Sequence, residues 1–274
     1  MLLKRVITAL LLLPPVIGTL WFGPTLLVGI VFGAAVLIAA HEWAALAGVR
    51  RGTGATALYV AVTAVLIALV VGQRGSAVPW ALMLATVAWW LVMLVWIVRF
   101  PAGFDETHPP RWLKAGAGLL VVPATIGAVV LLHASPDGPL RLLFAFVLVW
   151  AADIGAYFTG QGFGKHKLAP EVSPGKTWEG LFGGLAWSLA VAGVAGHWLF
   201  GLQGAAAWAA FLVLCAAVVL LSIVGDLGES LIKRQAGVKD SGTLLPGHGG
   251  MLDRIDSLLA ALPALALGLR ALGL

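Results

Sequence analysis

The sequence predicts an all-α, polytopic integral membrane protein, and three observations carry that expectation. Hydrophobic residues make up 61% of the chain and charged residues 11%, with a mean hydropathy of +1.00. Apolar runs close to the ~20 residues that a bilayer crossing needs recur along the whole length. Polar residues gather between those runs, which leaves no stretch for a separate soluble domain.

Nine spans follow in order. Lys4 and Arg5 precede the run Val6 to Phe22, where Pro14 and Pro15 must kink a helix because proline lacks an amide donor and crowds the preceding turn. That run resembles a secretory signal, but it lacks the small-residue cleavage pattern and is read as a retained first crossing. Thr25 to Ala47, Ala55 to Val71, Val78 to Val98 and Ala115 to His133 are the next four. Leu140 to Gly160, Trp178 to Phe200, Ala205 into a charged helix, and Ile255 to Leu272 complete the set. Character changes near residue 135. Residues 1–135 hold plain membrane helices, and residues 136–274 hold helices whose ends carry chemistry, all within one membrane domain.

Basic residues orient the spans. With nine crossings, Lys4, Arg5, Arg50, Arg51, Arg99, Arg111, Lys114, Lys165, Lys167, Lys176, Lys233, Arg234, Lys239 and Arg254 share the side of the N-terminus, and Arg74, Arg141 and Arg270 take the other. Fourteen against three out of 17 predicts a multi-pass protein of the cell inner membrane with its N-terminus in the cytoplasm and its C-terminus outside. The pI near 9.7 follows from this bias and does not point to nucleic acid, because the cations are scattered between spans rather than gathered on one surface. The single cysteine, Cys215, lies within an apolar run, so neither a disulfide framework nor a cysteine metal site is available.

The densest chemistry runs from Ser222 to Asp256, which holds nine of the 29 charged residues. Continued as a helix, Ser222, Asp226, Glu229, Ser230 and Lys233 fall on one stripe of one face. After Gly237 the sequence breaks into turn chemistry, through Lys239, Asp240, Gly242 and Pro246 to His248 between glycines, and a second helix then opens with Asp253 and Asp256. A loop imidazole such as His248 can bind phosphate, act as an acid or base, or cap the turn. Asp226, Asp253 and Asp256 have an ordinary reading, solvation of helix ends and pairing with Lys233, Arg234 and Arg254. Their functional reading is a hard-cation site for Mg²⁺, with a second cation open. That ion takes a few carboxylates together with water and phosphate oxygens, and such a charge set suits phosphoryl or nucleotidyl transfer.

Two further features belong to the second half. Asp153 lies inside the sixth span with Tyr157 one turn on, and an ionisable group at that depth is a functional candidate. The stretch Gly160 to Gly180 carries Lys165, Lys167 and Lys176 among glycines, and reads either as a flexible basic loop facing anionic lipid or as a phosphate-cradling nest. Gly175-Lys176-Thr177 imitates the end of a P-loop, but Pro170 stands where the first glycine belongs. His41-Glu42 opens a zinc-protease pattern that fails at Ala45.

The spaced set Ser230, Ile232, Lys233, Arg234, Lys239, Asp240, Gly242, Leu245, Pro246, His248, Gly249, Gly250, Met251, Asp253, Arg254, Ile255 and Asp256 resembles the signature of the phosphatidate cytidylyltransferases, also called CDP-diacylglycerol synthases. The resemblance extends to Asp153 with Tyr157, to SPGKTWEG from Ser173 to Gly180, and to GDLGES from Gly225 to Ser230. Gly175 departs from it, since the family often has a second lysine there. The first half matches only in general character. The resemblance implies that CTP, or dCTP, reacts with phosphatidic acid at the membrane to give CDP-diacylglycerol and pyrophosphate, with Mg²⁺ required. Asp226, Asp253, Asp256 and Lys233 would then be catalytic, the three aspartates holding the metal. Lys176, Ser230, Arg234, Lys239, His248, Arg254 and Asp153 would bind substrate. Besides these substrates and the bilayer, a homodimer is open as a partner. Two alternatives stand beside this reading. A CDP-alcohol phosphotransferase or prenyltransferase would share the Asp253–Asp256 spacing, and a transporter would line a path with its charges.

Overall fold

A computed structural model describes residues 14–100, 109–244 and 249–274. Residues 14–22 are helical (α1). They are followed by α2 Thr25–Leu46, α3 Gly54–Gly72, α4 Val78–Arg99, α5 Arg111–Ala134 and α6 Gly138–Phe163, then the strands β1 Lys167–Ala169 and β2 Ser173–Thr177, then α7 Trp178–Trp198, α8 Ala205–Gln235 and α9 Leu252–Ala271. The spans expected from hydropathy coincide with these helices to within a few residues. The first half of the first span and His248 lie outside the described residues.

Among the described residues seven helices, α2 to α8, are long and apolar enough to cross a membrane. The protein is therefore an all-α polytopic membrane protein, although a count of nine crossings is more than this shows. In α9 the charges Asp253, Arg254, Asp256 and Arg270 crowd the two ends and leave only residues 257–269 between them apolar. Most of the middle of α9 is buried against α8, α5 and α4. Lipid-sized apolar side chains such as Leu26, Leu58, Val65, Leu84 and Val213 stay exposed on α2, α3, α4 and α8. In water they would be an association hazard, whereas in hydrocarbon they form the outer surface.

Two prolines show how the bundle satisfies its backbone. Pro263 cannot donate to the Leu259 carbonyl one turn back, and the indole of the fully buried Trp90 on α4 donates to it instead at 3.3 Å. Pro24 likewise leaves the Leu20 carbonyl open, and His133 at the end of α5 bonds it through Nε2 at 2.9 Å while Nδ1 accepts from the Thr25 hydroxyl at 3.0 Å. In a medium without water each orphan carbonyl costs several kcal/mol, so these contacts fix how α1, α4, α5 and α9 meet.

The basic stretch after α6 differs from the flexible loop or glycine nest expected. It is a short antiparallel hairpin, with Lys167 opposite Thr177 and Ala169 opposite Ser173. Its ends are pinned. The Thr177 hydroxyl caps α7 by accepting from the Gly180 amide at 3.1 Å, and Glu179 bonds both the backbone N–H and Nδ1 of His166. α6 and α7 pack closely through small residues, Gly155, Gly183 and Gly184, and the Ser188 hydroxyl donates to the Leu148 carbonyl at 2.9 Å.

Candidate active site

The site forms where the ends of α6, α8 and α9 meet the hairpin. α8 runs 31 residues, about 46 Å at 1.5 Å per residue, so its last turns reach beyond the apolar layer and carry Asp226 to Arg234 there. Gly225 sets the spacing. A Cβ at that position would stand 2.7 Å from the Asp256 carbonyl oxygen, so only glycine lets α8 lie this close to α9 and brings Asp226 beside Asp256.

Three cavities share Asp226 or its neighbours. One of about 340 Å³ is lined by Asp153, Tyr157, Lys176 and Asp226 with apolar walls from Ala152, Leu181 and Ile223. A second, about 290 Å³, is lined almost wholly by polar groups: Asp226, Ser230, Lys233, Arg234, Lys239, Asp240, Asp253, Arg254 and Asp256. A third of about 380 Å³ joins Asp153, Asp226, Asp253, Arg254 and Asp256. Every substrate-binding or catalytic residue expected from the sequence and described here thus lines one connected region.

Within that region the two key aspartates are held very differently. Asp226 pairs with Lys176 of β2 at 2.7 Å and accepts a long 3.4 Å bond from Ser230. Asp253 is almost encased. Its Oδ1 accepts from Lys233 at 2.6 Å, and its Oδ2 accepts from the backbone amides of Gly250 at 2.8 Å and Ser241 at 3.0 Å. Lys233 also pairs with the buried Glu229, one turn before it. Asp256 accepts from the Ser257 amide at 2.7 Å. Arg234 reaches back to the Val172 carbonyl of the hairpin at 3.4 Å. Ser222, expected on the same stripe, bonds the Val219 carbonyl of its own helix and is buried away from the cavities.

One residue escaped the sequence reading. Glu42 of α2 is buried and accepts from the Met251 amide at 3.1 Å, the Leu252 amide at 2.8 Å and the Ser241 hydroxyl at 2.9 Å. It thereby caps the start of α9, where a negative charge is favoured by the helix dipole. The Ser241 hydroxyl also lies 3.0 Å from Asp253 Oδ2, so Glu42 and Asp253 hold the same short loop from two sides. Gly250 makes this possible, because a Cβ there would meet Glu42 Oε2 at 2.4 Å.

The metal expected at the three aspartates can be weighed against this arrangement. Among the described residues no three carboxylate, imidazole or thiol groups stand ready to hold an ion between them. Mg²⁺ needs fewer, since it keeps several waters and binds through one or two carboxylates plus phosphate oxygens. Asp226 and Asp256 face one cavity and carry few bonds, so the donor chemistry fits such an ion.

A site at the edge of the apolar layer with carboxylates at its centre and cations on two flanks suits phosphoryl-group or nucleotidyl-group transfer. The chain belongs to the cytidylyltransferase family, whose model matches residues 3–272. It is similar to the phosphatidate cytidylyltransferase of Pseudomonas aeruginosa, at 46% identity over 100% of this chain and 98% of that protein. It is also similar to the enzymes of the same name from Haemophilus influenzae, at 37% identity over 96% of each chain, and Brucella suis, at 36% over 94% of this chain and 89% of that one. These matches set aside the CDP-alcohol phosphotransferase, prenyltransferase and transporter alternatives.

Proposed function

We propose that this protein transfers the cytidylyl group of CTP to phosphatidic acid, giving CDP-diacylglycerol and pyrophosphate. The observation that carries this reading is that two chemically distinct cavities meet at Asp226. The one with apolar walls and Lys176 suits a lipid phosphate with its glycerol and first acyl carbons. The polar one, with Lys233, Arg234, Lys239 and Arg254, suits a triphosphate. The relatives' shared name supplies the two substrates.

The phosphate of phosphatidic acid, with a second pKa of about 6, is already a dianion near neutral pH, so its oxygen attacks without a general base. A P–O bond forms to the α-phosphorus of CTP as the bond to the β-phosphate oxygen breaks, and the electron pair leaves with pyrophosphate. Catalysis then reduces to positioning and charge neutralisation. Lys176 holds the attacking phosphate beside Asp226. Lys233, Arg234 and Lys239 meet the growing charge on the leaving group, and Asp253 with Glu229 keeps Lys233 aimed. Mg²⁺ held by Asp226 and Asp256, with Asp253 Oδ1 at hand, would neutralise charge on the triphosphate. Asp153 faces both lipid and metal cavities and would orient Lys176.

This site works at the cytoplasmic face of the inner membrane, where a soluble nucleotide and a headgroup meet without crossing the bilayer. The fourteen-to-three charge bias supports that placement. Cysteines introduced at Arg50, Arg111, Lys167 and Lys239 should resist an impermeant thiol reagent in intact cells, and labelling at Lys167 would overturn the orientation. For substrate assignment, Lys176→Gln should raise KM for phosphatidate about ten-fold with KM for CTP little changed, and Arg234→Lys should do the reverse through loss of the planar fork. Equal effects on both substrates would contradict the two-cavity assignment.

A further inference from the structure

The end of the bundle opposite the active site holds a second cationic cavity, of about 280 Å³, which the reaction leaves unused. It lies between the start of α4, the end of α5, the start of α6 and the end of α9. Arg141 and Arg270 line it together with Ser135, Trp80, Leu131 and Leu269. These are two of the three basic residues on that side of the chain. Arg270 is 17 residues along from Asp253, so the cavity lies about 25 Å from the site at 1.5 Å per residue.

An arginine that only anchors a helix in the headgroup layer extends into water. Arg141 is half-buried and Arg270 exposed, and both guanidiniums lie over aromatic rings. The Arg270 guanidinium sits 4.2 Å from the centre of the Trp80 ring, and that of Arg141 sits 5.4 Å from the Phe200 ring. Such stacking holds the guanidinium plane and leaves its edge of N–H donors free to point elsewhere. Among the described residues neither forms an ion pair, although Asp137 is close to Arg141 along the chain. Arg141 Nε is buried and has no hydrogen-bond partner among the described residues. A buried, unused cationic donor at a bilayer edge is costly, and an anion supplied from outside the chain would relieve it.

We infer that this cavity binds the phosphate of an anionic phospholipid, clamped between the Arg141 and Arg270 guanidiniums. The chemistry shared with any phosphate ion is the pair of planar forks. What favours a lipid is the wall of Leu131, Leu132, Leu269 and Ala266, which suits the glycerol and first methylenes of an acyl chain. The volume is that of one headgroup and is below the roughly 300 Å³ at which pockets for larger ligands begin. The site is separate from the one where phosphatidate reacts, and holds whether or not that assignment is right.

The test uses the full-length protein purified in neutral detergent, with the thermal midpoint read during titration by dihexanoyl phosphatidylglycerol, dihexanoyl phosphatidylcholine or inorganic phosphate. Phosphatidylglycerol should raise the midpoint saturably. The apparent Kd should weaken about ten-fold in Arg141→Gln/Arg270→Gln and stay as in wild type in Lys176→Gln, whose change lies in the active site. Turnover of the arginine variant should be unchanged. If that variant does not fold, Arg141→Lys/Arg270→Lys keeps charge and stem, and should bind about three-fold more weakly. Unchanged binding in either arginine variant, or loss of the response in Lys176→Gln, overturns the site. An equal response to phosphatidylcholine overturns the preference for net charge, and an equal response to inorganic phosphate makes it a free-anion site.

Discussion

Asp226 and Asp253 stand at facing ends of neighbouring helices and line the same cavities, yet one is loosely held and the other is locked. Asp226 has a single ion pair, to a lysine on a hairpin that is itself at the surface. Asp253 has Lys233 on one oxygen and two backbone amides on the other, and Glu42 braces the same loop from 199 to 210 residues earlier in the sequence. The difference separates two tasks. On the proposed function the locked wall would fix where the triphosphate lies, and the loose wall would exchange its partner when substrate arrives. Lys176 can leave Asp226 for a lipid phosphate at little cost, because its surroundings are a quarter exposed and screened.

The sharpest break of that comparison is Asp253→Asn. It should abolish turnover, by about 10³-fold, and also destabilise the protein by about 3 kcal/mol, because amide donors that met a charge now face a group with one acceptor. Asp226→Asn should lose activity to a similar extent while the thermal midpoint stays within a few degrees of wild type. If the midpoint fell as far as for Asp253→Asn, the loose wall would not be loose. Where both aspartates serve one ion, the double variant should add little to either single one, whereas additive losses in activation free energy would mean separate roles.

Smaller effects sharpen the same contrast. Glu42→Gln keeps shape but offers one acceptor where two oxygens are used, so turnover should fall about ten-fold and the midpoint should drop, with KM for phosphatidate unmoved. A fall in phosphatidate affinity alone would place Glu42 on the wrong wall. Ser230→Ala should be the mildest, about two-fold to three-fold in kcat/KM, since it removes one long bond.

How far the sequence revealed this depended on the range of the interaction. Helix positions were legible because each apolar run is local, and Asp226, Lys233 and Asp253 stood out because charge is rare in such a chain. The hairpin was not legible. Its strands are three and five residues long, carry Pro and Gly, and are held by Thr177 and Glu179 rather than by alternating apolar residues. Glu42 was hidden for a different reason. Its partners are backbone amides and one serine about 200 residues away, and backbone amides leave no mark in a sequence. The signal available was a carboxylate within an apolar span, which the failed zinc-protease pattern at His41-Glu42 obscured. The first half of the chain, read as plain membrane helices, therefore supplies one of the braces of the site.

The most direct test of the whole account gives purified wild-type protein and Asp226→Asn, side by side, CTP labelled at the α-phosphate, phosphatidic acid and Mg²⁺. Wild type should move the label into CDP-diacylglycerol with one pyrophosphate released per turnover, only when both substrates and the cation are present, and Asp226→Asn should not. Folded wild-type protein that makes no liponucleotide, or an Asp226→Asn variant that makes it at the wild-type rate, would contradict the account.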